Sequence, residues 1–519
     1  MIPGRTPHAS LLPGSFPLIP AGLWFVLTVS MVFSGAVDLW VQTLIHLVLT
    51  FLILYAVSRG AGQGLTLPDR SSLALWGGVL LALGTSTLYS GAPTKSQQEF
   101  WNWINYFLVF LLMSGLDAGA RKSLRHGLFA SWSLLLIWGS WQALGRPENP
   151  PRAGLLNANA LGSYLLIPLW LGMEACLEPP ARKNRWPWVF TSLAFLLFLV
   201  TRSTGALCAF GISALFFVLS YKKKPLSTAP WILGAAGLCL LPFLWKIFSS
   251  QDPHRLLWWK AALAMGSAHP WIGLGPATFE LALPQGPDLN LFTFYAHNTW
   301  LQWWAELGVW GVGGIFWLVS GCLRRQSNAY HASASIGLLT HNLLDYSLIL
   351  PSHALLFWSL QAPSPTRTPE AVPSRWAPAS RIAVHLLLVS LAIVSVQRFQ
   401  TNRDYAKAVY YQGNNQPREA HMHAQRAIKR NDAPADPHAL LARLRFEEAQ
   451  KMRSRGAMDQ ALVDMLQALR REPLHVAYWI SAGRLYALLG FPHKQDELKH
   501  DLVKLYPFFA KDRRLESPS

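Results

Sequence analysis

The chain has 519 residues, of which 51% are hydrophobic, 12% aromatic and only 14% charged. Soluble globular proteins carry about 25% charged residues, so the composition excludes a single soluble domain. In a soluble protein the formal net charge of +18 would suggest a nucleic-acid partner. Here much of the positive charge lies in short loops between apolar runs, where membrane topology explains it better, and we expect no nucleic acid among the partners.

In chain order, residues 1–17 lack the pattern of a cleavable signal, so we interpret them as a cytoplasmic segment before a retained transmembrane helix. About 20 apolar residues cross a bilayer core. This criterion predicts an all-α, polytopic membrane domain over residues 18–361 and one more span at 381–397. The two predicted spans after residue 330 are alternatively one re-entrant unit. The predicted spans, about 12–13 in all, are 18–34, 38–58, 71–90, 100–116, 126–145, 155–177, 186–201, 203–220, 229–249, 297–321, 330–346, 349–361 and 381–397.

The orientation of these spans follows from the Lys/Arg bias of cytoplasmic loops. Basic residues alternate consistently along the chain, which places the N-terminus inside and the large loop at about 250–296 outside. The Pro-rich segment 362–380 is then a cytoplasmic linker, and the tail is extracytoplasmic if the last span crosses. The predicted inner loops hold Arg59, Arg70, Arg121, Lys122, Arg125, Arg182, Lys183, Arg185, Lys222, Lys223, Lys224, Arg324, Arg325, Arg367, Arg375 and Arg381, whereas the outer loops hold Lys95, Arg146, Arg152 and Arg202.

The tail, residues 400–510, predicts paired amphipathic helices with small residues at close-packing positions. The period, in the thirties to forties, resembles tetratricopeptide repeats, which stack into a concave partner-binding surface. An ordinary helical bundle without a binding role is the alternative. The tail histidines (His421, His423 and His438) are scattered on helices that we expect to be solvated, so they are poor metal candidates. The four cysteines (Cys176, Cys208, Cys239 and Cys322) fall in apolar segments and are predicted to be small core residues.

The most informative chemistry lies at the large loop. Arg255 and Lys260 flank Trp258 and Trp259, a pattern typical of a membrane interface, where both cations are placed to bind an anionic phosphate ester. His297 begins the next predicted span, where a neutral imidazole can accept a proton from a sugar hydroxyl. The same helix carries a polar face at four-residue spacing, formed by Asn298, Gln302 and Glu306.

These residues resemble the O-antigen ligase/polymerase superfamily over roughly residues 20–360. The signature runs from Arg255 through Gly273-x-Gly275 to His297-Asn298 and Glu306-x-Gly308. Three further stretches match the layout of the family: Asn157-Ala-Asn159-Ala-Leu-Gly162, Thr201-Arg202-Ser203, and His341-Asn-Leu-Leu-Asp345.

The resemblance implies a metal-independent, inverting glycosyltransferase with a polyprenyl-pyrophosphate-linked glycan as donor and no cofactor. By the same resemblance, Arg202 and Arg255 hold the pyrophosphate, and His297 activates the acceptor hydroxyl or orients the leaving group. Lys260 is a further candidate for binding the pyrophosphate because of its predicted place at the membrane interface. Each of the other residues also has a purely structural alternative. In that alternative, Arg202 extends its side chain from a helix end toward the membrane interface, Arg255 pairs with Asp252 or lipid, and His297-Asn298 caps a helix. Glu306 is then a buried structural acid, His341 and Asp345 form an i, i+4 pair on one helix face, and Asn157 and Asn159 make interhelical hydrogen bonds.

No other chemistry competes in the sequence, because P-loop, dinucleotide, Ser-nucleophile and HExxH patterns are absent, as is an Asp-x-Asp nucleotide-sugar motif. Within the superfamily, three reactions stay open: ligation to lipid A-core in lipopolysaccharide synthesis, polymerisation of surface polysaccharide, and protein O-glycosylation. The expected location is the bacterial inner membrane, with the site and the tail on the periplasmic side. A non-enzymatic scaffold or transporter with partner-binding repeats is the alternative from another class.

Overall fold

The structure, a computed structural model, describes residues 18–58, 67–177, 185–220, 253–283, 293–363 and 378–511. Within these ranges every regular element is helical, which confirms the all-α prediction there. The first part contains α1 Leu18–Val32, α2 Leu39–Ser58, α3 Arg70–Leu88, α4 Pro93–Ser114, α5 Ala118–Gly145, α6 Ala158–Leu177, α7 Trp186–Val200, α8 Thr204–Ser220, α9 Pro253–Ala268, α10 Phe279–Ala282, α11 Thr299–Arg325, α12 Ala329–His341 and α13 Pro351–Gln361. The remainder contains α14 Pro378–Gly413, α15 Pro417–Arg430, α16 Ala435–Met452, α17 Arg455–Arg471, α18 Val476–Leu488 and α19 Pro492–Leu505.

Four helices, α2, α3, α6 and α11, are long and apolar enough to cross a membrane, and α1, α7 and α8 are shorter apolar helices. They coincide with seven of the predicted spans. The predicted span 229–249 and Cys239 within it, the segment 1–17, Asp252 and most of the linker 362–380 lie outside the described residues. The other three cysteines are buried, as predicted.

Helices α12 and α13 occupy the last predicted pair of spans before the linker. They contain 13 and 11 residues, so each is about 20 Å long or shorter at 1.5 Å per residue. A hydrocarbon core of about 30 Å is too thick for either to cross alone. Every residue of α13 is buried in the protein. The pair therefore fits the re-entrant alternative better than two full spans.

Contacts at one end of the membrane domain join loops that the charge bias places in the cytoplasm. Arg121 donates to the carbonyl of Pro363, and Arg325 pairs with Asp69 at 3.3 Å. These four residues come from four separate predicted inner segments. Their grouping agrees with the predicted alternation of loops, whereas the identity of the compartment at this end stays a prediction.

The tail docks on the opposite end of the membrane domain. The Leu474 amide donates to the carbonyl of Gly91 at 2.7 Å, and Glu472 Oε1 accepts from the backbone amide of Lys95 at 3.1 Å. The Lys95 ammonium pairs in turn with Glu280, beside the large loop. Burial alone would lower the pKa of Lys95, but the surrounding carboxylates, Glu280 first, outweigh it and raise the pKa.

Apolar side chains extend this junction. One buried cluster contains residues of the large loop, such as Met265 and Phe279, together with tail residues such as Leu474 and Trp479. Burial of apolar surface is the main favourable term in such association. The tail is therefore packed on the loop that carries the candidate site.

The tail differs in two respects from its prediction. A single helix, α14, runs from the predicted span 381–397 into the tail without a break, so the first tail helix is a continuation of that span. His423 and His438 are buried and paired with Asp404 and Asp432, at 3.4 and 2.9 Å, and are not solvated as expected. Helices α14 to α19 pack consecutively, an arrangement typical of helical repeats. The tetratricopeptide assignment itself stays a prediction.

Candidate active site

A break in α11 positions the large loop. Gly308 has φ 62° and ψ −165°, so the helix stops and restarts there, and its neighbouring carbonyls are free to accept other donors. The amide of Leu274 donates to Ala305 O at 3.0 Å, and that of Gly275 donates to Glu306 O at 2.9 Å. Backbone hydrogen bonds thus attach the large loop to the kinked helix.

Glycine is required on both sides of this junction. Gly273 has φ 68°, and a Cβ there would overlap the backbone of Glu306. A Cβ at Gly308 would overlap the backbone of Trp271. The Gly273-x-Gly275 pair carried little information in the sequence alone, and its role in the fold is this close approach of two backbones.

His297 lies immediately before α11 in an unusual backbone conformation. Its φ is 52°, in the left-handed region that non-glycine residues adopt rarely and often at functional sites. Asn298 is the N-cap of α11, because its Oδ1 accepts from the backbone amide of Leu301 at 3.1 Å. Its side-chain Nδ2 donates to Leu343 O at 2.9 Å. The capping role proposed for His297-Asn298 therefore belongs to Asn298, and the His297 side chain is left for another role.

The His297 imidazole pairs with Asp345. Nδ1 of His297 lies 3.1 Å from Asp345 Oδ1, which also accepts from the Tyr346 amide at 3.0 Å. Because the carboxylate only accepts, it holds the neutral imidazole with a hydrogen on Nδ1 and directs the Nε2 lone pair elsewhere. This geometry gives a base with an orienting acid.

The predicted i, i+4 pair of His341 and Asp345 is wrong. Helix α12 ends at His341, and Asn342 begins a turn, so the two side chains do not share a helix face. His341 Nδ1 instead meets Ser347 Oγ at 2.6 Å, and its Nε2 finds no hydrogen-bond partner among the described residues. The turn that follows α12 directs the Asp345 side chain toward His297.

Aromatic rings surround the imidazole of His297. Trp258 of α9 stacks on it with centroids 5.0 Å apart, and Tyr346 contacts it edge-on at 4.9 Å. Tyr346 is fixed by a stack on Tyr295 at 4.0 Å and by a 2.8 Å hydrogen bond from Asn157. Asn157 precedes α6 and Tyr346 lies in a turn, so this hydrogen bond joins two connecting segments and is not the interhelical contact that was predicted. The ring of His297 therefore has little freedom to rotate.

Two arginines were predicted to hold the donor, and α9 brings Arg255 to this cluster. Its Nη1 donates to Leu344 O at 2.8 Å, one residue before Asp345, and its charge acts on that carboxylate. Lys260 is exposed and lies about 140° around the helix from Arg255, because each residue turns about 100°. The structure therefore brings Arg255, and not Lys260, to His297.

Arg202 lies in the tight turn between α7 and α8, with φ 56°. Its side chain is exposed, and Nη2 donates to Pro147 O at 3.3 Å. Three residues further on, Gly205 faces the ring of His341, with its Cβ position 3.5 Å from Nε2. The turn thus borders the His341–Asp345 segment while the guanidinium reaches outward.

The two remaining predicted supporting residues lie in helices α6 and α11. Asn159 is half-buried in the first turn of α6, and Glu306 is buried next to the kink of α11. The Glu306 carboxylate accepts from the Phe279 amide at 3.1 Å and from Gln302 Nε2 at 3.0 Å. Gln302 in turn accepts from the Ala296 amide at 3.0 Å, so this polar face supports the backbone beside His297.

The whole arrangement combines an imidazole oriented by a carboxylate with the nearby Arg255 guanidinium, at one end of an apolar helix bundle. A comparison with known families covers its central part. Residues 189–316 match the family model described as O-Antigen ligase. No curated protein and no solved structure matches the chain.

The matched segment of the O-antigen ligase family contains Arg202, Arg255, His297 and Glu306, whereas Asp345 lies beyond it. The match supports the ligase/polymerase superfamily and, at a general level, glycan transfer of the O-antigen ligase type. Together with the apolar helices it indicates an integral membrane protein. Among the described residues, no group of three or more His, Cys, Asp or Glu side chains is placed to hold a metal ion.

Sequence reasoning missed the aromatic partners Tyr295 and Tyr346. Both lie within two residues of predicted site residues, a proximity that was a usable signal. Their stacking depends on a turn from one part of the chain meeting a loop from another. No periodic pattern in a single sequence encodes that contact.

Proposed function

We propose that this protein transfers a glycan from polyprenyl pyrophosphate to an acceptor hydroxyl at the outer face of a bacterial cytoplasmic membrane. The observation that carries the proposal is the His297–Asp345 pair, at 3.1 Å, beside Arg255. His297 and Arg255 both lie in the segment that matches the O-antigen ligase family. A base and cations are the two requirements of a transfer that deprotonates a hydroxyl and releases pyrophosphate.

In the proposed reaction, His297 Nε2 takes the proton of the acceptor hydroxyl. The acceptor oxygen uses its electron pair to form the new glycosidic bond at the anomeric carbon. The bond from that carbon to the pyrophosphate oxygen breaks, and its electron pair leaves with the pyrophosphate. Attack on the face opposite the leaving group inverts the anomeric configuration.

Arg255 and Arg202 stabilise the leaving group in this proposal. Negative charge grows on the pyrophosphate as the sugar bond breaks, and guanidinium groups pair with phosphate oxygens bidentately. Such preorganised charge removes the need for water to reorganise during the step. A metal ion is therefore not required by the proposal.

The acceptor decides between three reactions. Ligation to lipid A-core gives one transfer of a finished glycan, polymerisation gives a ladder of repeat units, and protein O-glycosylation gives a shifted protein band. The tail packs on the loop that carries His297, which supports a role in recruiting the acceptor or an assembly partner.

Complementation of surface-glycan display tests the proposal. We expect His297→Ala and Arg255→Ala to reach the membrane, to abolish display on glycan gels and to accumulate the lipid-linked precursor. His500→Ala and Arg403→Ala, at exposed tail positions, are the matched controls and should restore display. Normal display with both site variants would reject the transferase function and favour the scaffold or transporter alternative.

A further inference from the structure

A large cavity lies between the membrane domain and the tail, next to the candidate active site. Its volume is about 590 Å³, within the range of about 300–1,000 Å³ typical of small-molecule sites. Helices α2, α4 and α11 contribute one wall, and α14 together with the start of α16 contributes the other. The cavity exists only because the tail is docked.

Side-chain amides dominate the polar lining of the cavity. Gln42, Gln98, Asn102 and Gln302 come from the membrane domain, and Asn402 and Asn431 come from the tail. An amide both donates and accepts hydrogen bonds, as a sugar hydroxyl does. Some of these amides are already ordered, since Gln98 Nε2 donates to Gln42 Oε1 at 2.7 Å. A hydroxyl-rich ligand would meet complementary groups on both walls.

The charges in the cavity disfavour a phosphate group. Carboxyl groups line it at Glu99, Glu280, Glu306 and Asp436, and any of them that is ionised only accepts hydrogen bonds. Of the lining cations, Lys95 is paired with Glu280. Arg398 donates to Gln98 Oε1 at 2.7 Å and lies 4.9 Å from the centroid of the Trp101 ring. The lining suits hydroxyl donors better than an anion.

Aromatic side chains complete the lining and connect it with the active site. Trp101, Tyr295 and Tyr405 line the cavity. Because Arg398 lies over the Trp101 ring, Tyr295 and Tyr405 are the rings that offer apolar surface for the faces of sugar rings. Behind the cavity wall, Tyr295 stacks on Tyr346, and the ring of Tyr346 contacts His297. One ring pair therefore separates the cavity from the imidazole.

We infer that this cavity is a carbohydrate-binding subsite, which holds a short stretch of the donor glycan or of the acceptor glycan while His297 acts. The inference rests on the proposed glycan transfer and adds the place where sugar units bind. It also gives the tail a direct part in substrate binding, because Asn402 and Tyr405 belong to α14.

Cysteine protection tests the site directly. Asn402→Cys is made in a full-length protein with the four native cysteines changed to Ala, and maleimide labelling is timed in detergent. The probes are glycan released from the lipid-linked donor by mild acid, and acceptor oligosaccharide freed of its lipid. We expect one probe to slow labelling at least about tenfold, the change that about 1.4 kcal/mol of binding produces. Asn414→Cys, exposed beyond the end of the same helix, is the matched control and should not be protected.

The protecting probe identifies the source of the sugar. Protection by released donor glycan assigns the cavity to the donor, and protection by the acceptor oligosaccharide assigns it to the acceptor. Protection by neither probe, or equal slowing at Asn414→Cys, would overturn the inference.

A kinetic variant separates this inference from the proposed function. Asn402→Trp fills the cavity and is expected to raise KM for the affected substrate about tenfold with kcat within about twofold, since it removes binding shared by ground and transition states. Asn414→Trp should match the wild type. An unchanged KM for both substrates would overturn the subsite. A wild-type protein without any transfer would refute the proposed function, while the labelling experiment would still decide whether the cavity binds carbohydrate.

Discussion

His297 Nδ1 lies 3.1 Å from Asp345 Oδ1, although 48 positions separate the two residues in the chain. The pair is held from both sides. Asn298 caps α11 on the His297 side, and the Asp345 carboxylate accepts the Tyr346 amide on the other. The Arg255 guanidinium donates to the carbonyl just before Asp345. One turn of backbone thus orients the base and places a cation beside it.

Asp345 is predicted to act as a positioning residue for His297. Asp345→Asn keeps the size of the side chain and removes the charge that fixes the imidazole hydrogen on Nδ1. We expect kcat to fall by about 100-fold or more, with KM nearly unchanged, as for loss of general-base efficiency. Initial rates of transfer at varied substrate concentration measure both values. Asp464→Asn, which disrupts a buried acid of the tail paired with Arg445, serves as the control for stability, and wild-type kcat in Asp345→Asn would contradict the role.

Gly308 is predicted to be essential for docking the large loop on α11. Its φ of 62° and ψ of −165° lie in a region nearly restricted to glycine, where another residue costs about 1–3 kcal/mol. Gly308→Ala should therefore lower the apparent Tm of the purified protein and reduce transfer. Gly313→Ala, on the same helix with open space around its Cβ position, should leave Tm unchanged or raise it. Equal Tm values for the two variants would argue against the loop-docking role.

Arg255 and Lys260 are predicted to differ in importance. Arg255 contacts the turn that carries Asp345, whereas Lys260 is exposed on another side of α9. Arg255→Ala should therefore reduce transfer by more than about 100-fold, the size of effect expected when a preorganised donor to a developing anion is lost. Lys260→Ala should leave transfer within about threefold, comparable to the loss of less than about 1 kcal/mol from an exposed charge. Transfer rates of both variants at equal membrane levels make the comparison. Loss of activity in Lys260→Ala would contradict this prediction and show that Lys260 contributes to donor binding.

Glu472 is predicted to make the docked tail sensitive to pH. Burial, and then the Asp436 carboxylate, raises the pKa of Glu472 from its ordinary 4.5 to about 8. Between these values the folded protein holds a proton on Glu472 that the unfolded chain has released. The contribution of Glu472 to stability is therefore fully present below about pH 4.5 and is lost as pH rises toward 8. We expect the apparent Tm of the wild type to fall over this interval and Glu472→Gln to flatten that contribution. Glu497→Gln, at an exposed position paired with Lys494, is the control. Parallel Tm curves for wild type and Glu472→Gln would contradict the prediction.

Much of the fold was predictable from the sequence because its strongest signals are local. A bilayer requires long apolar helices, so composition alone identifies the apolar segments that form α2, α3, α6 and α11. The family motif likewise identified Arg255 and His297, which the structure brings together. Helix ends were less certain, and the i, i+4 pairing of His341 with Asp345 failed because α12 stops at His341.

The sequence by itself determined the all-α class, the positions of the long apolar helices and the residues most suited to chemistry. Only the tertiary structure decided which of those residues meet: Asp345 with His297, Arg255 with Leu344, and the tail with the large loop. The physical reason is that apolar periodicity and charge bias act within one segment, whereas these contacts depend on turns and on the relative packing of distant segments. A kink at Gly308 and a left-handed His297 fix the site, and neither follows from propensity alone.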